Sequence, residues 1–119
     1  MPKFMLLLHD DKSAWTAISP DEMQRIIERY VAWGAKLRAA GILKSSDKLT
    51  DDRGRVVRGK NGQLRVTDGP FVEAKEVLGG YYTIEAASYD EAVQRVQDCP
   101  HLDYGGTIEI RQVDEMMRG

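Results

Sequence analysis

Residues Lys3 to Leu8 read KFMLLL, apolar at nearly every position, a pattern that fits a strand covered on both faces better than an alternating, half-exposed one. The first, central strand is expected there. Ser19-Pro20-Asp21-Glu22 supplies an N-cap serine, a proline at the first helical position and a glutamate three residues after the cap, so a helix starts at about Pro20. Met23, Ile26, Ile27, Tyr30, Gly34 and Leu37 recur at helical spacing and form its apolar stripe, Asp21, Arg25, Glu28 and Lys36 face outward, and Gly41 closes it. Ile42 to Leu49 reads as a second, irregular strand. Between Arg55 and Thr67, RVVR and QLRVT flank Gly59-Lys60-Asn61-Gly62, and Asn-Gly predicts a tight hairpin because both residues tolerate positive φ. After a loop from Asp68 to Gly80, Tyr81 to Glu85 is rich in β-formers and predicts another strand. Ser88-Tyr89-Asp90-Glu91 opens a second helix with Ala92, Val93 and Val96 on one face, which Pro100 stops. Thr107 to Val113 alternates strictly and predicts the last strand.

This order implies an α+β domain on a ferredoxin-like βαββαβ plan, with an antiparallel sheet and an extra β-hairpin insertion. Two right-handed crossovers put both helices on one face of the sheet. The other face, carrying β-branched and aromatic side chains, then needs a cover, and a second copy of the chain is expected to supply it as a homodimer. At 119 residues the chain fits one domain, residues 1–119, and 42% apolar with 30% charged residues is ordinary globular usage. A net charge of -2 gives no field that would draw the chain to nucleic acid or anionic lipid. No apolar run approaches a membrane span or a signal peptide, and the lone Cys99 makes no internal disulfide, so a cytoplasmic protein is expected.

Asp68-Gly69-Pro70-Phe71, followed by Val72-Glu73-Ala74-Lys75-Glu76 and Leu78-Gly79-Gly80-Tyr81-Tyr82, resembles the signature of the YCII-related DGPF-domain family. Phe4 to Leu8, Ser19 to Glu22, and Cys99-Pro100-His101-Leu102 with Gly105 to Arg111 resemble that family in the same order. The resemblance implies the dimeric α+β-barrel superfamily, in which the sheets of two subunits face each other and leave clefts between sheet and loops. It brings two associations. Some YCII-related proteins are small lyases acting on chlorinated aromatic intermediates, with a His/Asp pair proposed for proton transfer, and the superfamily includes muconolactone isomerases. Other DGPF members are linked to alternative sigma factors, which implies a regulatory protein-interaction module with a sigma factor partner.

Several residues carry candidate chemistry for a small-molecule ligand, each beside a plainer structural role. In the loop Asp68, Gly69, Pro70, Phe71, either Asp68 or Glu73 would be a carboxylate desolvated by Phe71 and Tyr81 and fit to abstract a proton, or the loop is a structural corner. His9 ends the central strand beside Asp10 and Asp11, and His101 precedes Asp103 and Tyr104; each is a candidate proton carrier or a polar loop residue. Trp15, Tyr30, Trp33 and Tyr104 would line a cleft or pack a core. No ligand spacing for a metal, no nucleotide fingerprint and no nucleophile elbow is present, so neither a metal nor a cofactor is expected. Cys99, placed at a helix C-terminus, reads as a packing residue. Arg53, Arg55, Arg58, Lys60 and Arg65 make the hairpin basic, which serves to block stray strand pairing or to meet an acidic partner. The function expected is ligand binding in a cleft, with cofactor-free lyase or isomerase proton transfer; the regulatory module is the alternative.

Overall fold

A computed structural model of the chain describes residues 1–11, 13, 16–69 and 76–117. It is α+β. Strand β1 (Lys3–Asp11) leads into helix α1 (Pro20–Ala39), strand β2 (Leu43–Lys48), the hairpin strands β3 (Arg55–Lys60) and β4 (Gln63–Asp68), and strand β5 (Glu76–Glu85). Helices α2 (Tyr89–Arg95) and α3 (Pro100–Asp103), strand β6 (Thr107–Gln112) and a short 3-10 turn (Glu115–Met117) complete the order. The main sheet has four strands in the order β2-β5-β1-β6, every neighbouring pair antiparallel, and β3–β4 form a separate two-stranded sheet. Setting the hairpin aside, the order is the ferredoxin-like one expected from the βαββαβ pattern.

The local signals act as their chemistry dictates. Ser19 accepts from the Glu22 amide at 3.2 Å and Ser88 from the Glu91 amide at 3.2 Å, so each opens a helix by satisfying an otherwise orphaned donor. Asn61 (φ 54°) and Gly62 (φ 77°) both occupy the left-handed region that a two-residue hairpin turn requires.

The core fills the space between the sheet and the helices: Phe4, Leu6 and Leu8 of β1 and Ile84 of β5 face Trp33 and Leu37 of α1 and Ala92 of α2. Alternation along β1 therefore decides which side each residue serves. Even positions are buried under the helices, while Met5 and Leu7 lie on the opposite, helix-free face and are only half-buried. The helical stripe differs from expectation at two positions. Trp33 is buried and Ile27 is 45% exposed, because Ile26, Tyr30, Trp33 and Leu37 follow one line along the helix and Ile27 falls beside it. Val93 is likewise 44% exposed, leaving Ala92 and Val96 as the buried face of the second crossover.

Trp33 also closes the core edge: its ring meets Tyr82 edge-on at 4.9 Å, and its indole N–H donates to Asp98 Oδ1 at 3.0 Å. Asp98 is also paired with Lys36. Replacing Trp33 with phenylalanine keeps most of the apolar area and removes that bond, so a loss of about 1 kcal/mol, near 4 °C in Tm, is expected by calorimetry. An unchanged Tm would mean that the bond carries no net stability.

Candidate functional site

The second crossover does not end where Pro100 was expected to stop it. Helix α2 finishes at Arg95, and Pro100 starts the separate four-residue α3, where its missing N–H is no loss. This restart turns His101 inward until it is 1% exposed, the one buried polar or charged residue among the described residues. Its Nε2 lies 2.8 Å from the backbone carbonyl of His9, and its Nδ1 lies 2.8 Å from the Tyr30 hydroxyl. A carbonyl oxygen only accepts, so Nε2 carries the hydrogen, and in the neutral ring Nδ1 holds the lone pair and accepts from Tyr30.

Asp10 completes the group. Being even-numbered on β1, it projects toward the helices, and its Oδ1 lies 3.6 Å from His101 Nδ1 with 23% of the side chain exposed. The Tyr30 hydroxyl is pushed up from its ordinary pKa of 10.0, chiefly by burial and then by the negative charge of Asp10, so it stays protonated as a donor. Two glycines make room. A Cβ on Gly79 would overlap the Asp10 carboxylate, and a Cβ on Gly106 would overlap three ring atoms of His101. The cluster thus gathers a base with a fixed tautomer, a neutral phenol and a carboxylate reachable from solvent, a set that can take up and hand on one proton.

The remaining expected residues go elsewhere. The His9 ring, at an odd position, lies on the helix-free face and bonds to Glu109 Oε1 at 3.1 Å; together with Arg111 it holds the Glu109 carboxyl below the usual carboxylate range. Residue 9 serves the buried cluster through its peptide carbonyl, while its imidazole is on the other side of the sheet from His101. Tyr81 is also on the helix-free face, donating to Asp47 at 2.6 Å. Tyr104 accepts from Arg29 at 2.7 Å, beneath the guanidinium, at the outer end of α3.

Asp68 ends β4 with its side chain 83% exposed and paired with Arg55 at 3.3 Å, so the desolvated carboxylate expected at this position is not what the geometry provides. Gly69, at φ 72°, lies so close to Arg53 that any side chain would overlap it, which makes this corner tight for structural reasons. Pro70, Phe71, Glu73 and Trp15 lie outside the described residues. Cys99 is the N-cap of α3 and not at a helix C-terminus; burial, not the helix dipole, pushes its thiol up to about 11.

Two members of the cluster go beyond what the sequence assigns: Asp10 is noted there only as a neighbour of His9, and Tyr30 only as a ring that lines a cleft or packs a core, not as a hydrogen-bond partner. The signal was present for Asp10: it shares the parity of Phe4, Leu6 and Leu8, so a carboxylate had to point under the helices. Nothing in the local sequence tells that α3 would bring His101 to it, some 90 positions away.

A family model described as the YCII-related domain matches residues 2–117. An uncharacterized protein of Rhizobium meliloti (strain 1021) is 33% identical over 110 residues, covering 91% of this chain and 89% of that protein. Among solved structures, a 5-chloro-2-hydroxyhydroquinone dehydrochlorinase from Burkholderia phenoliruptrix AC1100, in complex with 2,5-dihydroxybenzoquinone, is similar in fold. The TM-score is 0.50 at 16% identity, over 94% of this chain and 93% of that one.

Proposed function

The chain belongs to the YCII-related domain family, and from that premise we propose that it binds a small molecule where Asp10, Tyr30 and His101 meet and moves a proton there without a cofactor, in lyase or isomerase chemistry. The observation that carries this reading is the seating of His101. A fully buried histidine has one nitrogen committed to a backbone carbonyl and the other, a lone pair, turned to a phenol and a carboxylate. The dehydrochlorinase similar in fold works on a hydroxylated aromatic ring, which supports a substrate of that class.

In the proposed step the Asp10 carboxylate takes a proton from an activated carbon of the ligand. The electron pair left behind either expels a leaving group or shifts a double bond. The proton rests on Asp10 or passes to His101 Nδ1, where the imidazolium would face the His9 carbonyl, the Tyr30 oxygen and the Asp10 carboxylate. Return of that proton to a different carbon completes an isomerisation; its loss to water completes an elimination. Asp10 is the catalytic residue in this scheme, with His101 and Tyr30 as positioning residues. The helix-free sheet face, with Met5, Leu7, Tyr81 and Thr83 half-buried, is where we place the second subunit of a homodimer.

The experiment is a thermal shift screen with 2,5-dihydroxybenzoquinone, a hydroxybenzoic acid and a butenolide lactone. A ligand at ten times its Kd stabilises the native fold by about 1.4 kcal/mol, near 5 °C. That shift should vanish in Asp10→Asn. It should also vanish in Gly79→Ala, where a new Cβ displaces only the mobile end of Asp10, so the unliganded protein should lose no more than about 1 kcal/mol. No shift with any probe, or a shift that both variants retain, would remove the site from this cluster.

A further inference from the structure

The hairpin β3–β4 stands apart from the core. Every residue of β4 is exposed, as is every residue of β3 except Val56. The radius of gyration is 16.3 Å. A compact chain of this length would have about 13.5 Å, so the hairpin is an arm that extends the molecule. Isolated two-stranded hairpins are marginally stable in water, so an arm of this kind needs something to pack against.

Its two sides are chemically different. Register places Val57 opposite Val66 and Gly59 opposite Leu64 on one side, with Val57 59%, Leu64 75% and Val66 61% exposed. The other side pairs Arg58 with Arg65 and Lys60 with Gln63. Residues 55–68 hold four basic groups and one acidic group, a net +3, and since the whole chain is -2 the remainder carries -5.

We propose that this arm docks on the body of a second copy of the chain, its basic side against acidic groups and its valine and leucine side against apolar ones. The division of charge between arm and body makes the chain complementary to itself. The body also exposes apolar residues on its helices, Ile27 and Val31 one turn apart on α1 with Glu28 beside them. A nucleic-acid backbone or an anionic lipid surface fits less well. The acidic body, which carries the remaining -5, would be repelled by either. The docking is independent of the proton-transfer reading and adds a contact to the pairing of sheet faces.

The test places photoreactive benzoylphenylalanine at Leu64, a position exposed enough to leave the fold unchanged, in the purified protein. Irradiation should give a covalent two-chain product whose attachment maps to residues 1–52 or 76–119 of the other copy. Adding Arg58→Glu with Arg65→Glu should cut its yield roughly tenfold at low salt. Attachment within one chain, attachment of arm to arm, or no product overturns the proposal, as does transfer of the cross-link to a labelled single-stranded oligonucleotide or to phosphatidylserine vesicles. Light scattering on the same samples separates the two contacts: a dimer without the cross-link leaves the sheet-face pairing in place and removes the arm.

Discussion

Replacing Gly106 with alanine should lower the unfolding free energy by about 3 kcal/mol and abolish ligand binding at the buried cluster together with it. The new methyl group would occupy the space of the His101 imidazole, overlapping Nε2, Cδ2 and Cε1. His101 is 1% exposed and cannot swing aside without moving α3, so the strain falls on well-packed groups. Expelling the ring breaks its part-buried bonds to the Tyr30 hydroxyl and to the His9 carbonyl. Overpacking contributes about 1–3 kcal/mol and the two lost hydrogen bonds about 1 kcal/mol each, and a loss near 3 kcal/mol corresponds to roughly 12 °C in Tm. The adjacent glycine is the control. Gly105 sits at φ 78° with open space where a Cβ would go, so alanine there meets only backbone strain of about 1 kcal/mol and should leave binding intact. Calorimetry on the two variants decides: equal losses would mean that the seat of His101 is not tight.

The contrast between these two glycines shows where sequence reasoning reaches and where it stops. Gly105 could be anticipated as a turn residue, but the need for Gly106 arises from a ring five positions earlier in the chain that α3 folds back over it. Elements were legible because their signals are local: Ser19 and Ser88 as caps, Asn61-Gly62 as the turn, and the strict alternation of Thr107 to Gln112. The start of β5 was missed by five residues, since Glu76 to Gly80, with two glycines, lacks β-formers and becomes strand only by pairing with β1 and β2. For Trp33 the sequence leaves cleft lining and core packing open, since a large amphipathic ring reads equally as either until Asp98 and Tyr82 are known to meet it; the core is where it lies. Of the candidate site, His101 was visible as a residue type. Its partners depend on strand parity for Asp10 and on tertiary packing of α1 against α3 for Tyr30, and only the first of these can be counted off along the chain.

Stability should fall steeply in alkali, by on the order of 3–5 kcal/mol between pH 9 and pH 12, through groups that the core keeps protonated. Burial pushes the Cys99 thiol up to about 11 and the Tyr82 hydroxyl up to about 12, and it raises Tyr30 as well. Each is an acid whose folded pKa lies above its unfolded value, so the native state holds its proton more tightly. Below the unfolded pKa of each group both states are protonated and the stabilisation is complete. As pH rises past that value the unfolded chain ionises first, and stability drains away until the folded pKa is reached. The window opens near pH 9 for the thiol and near pH 10 for the tyrosines, the ordinary values from which they are raised. Urea midpoints at pH 8, 10 and 11.5 should therefore decline with accelerating slope. In Cys99→Ala the decline between pH 9 and 10 should disappear, and in Tyr82→Phe the later part should become shallower. A midpoint flat to pH 11 in the unaltered protein would show that water reaches these groups in the folded state, and with it that the core around Tyr30 and His101 is open enough for the cluster to exchange protons with solvent directly and not through Asp10.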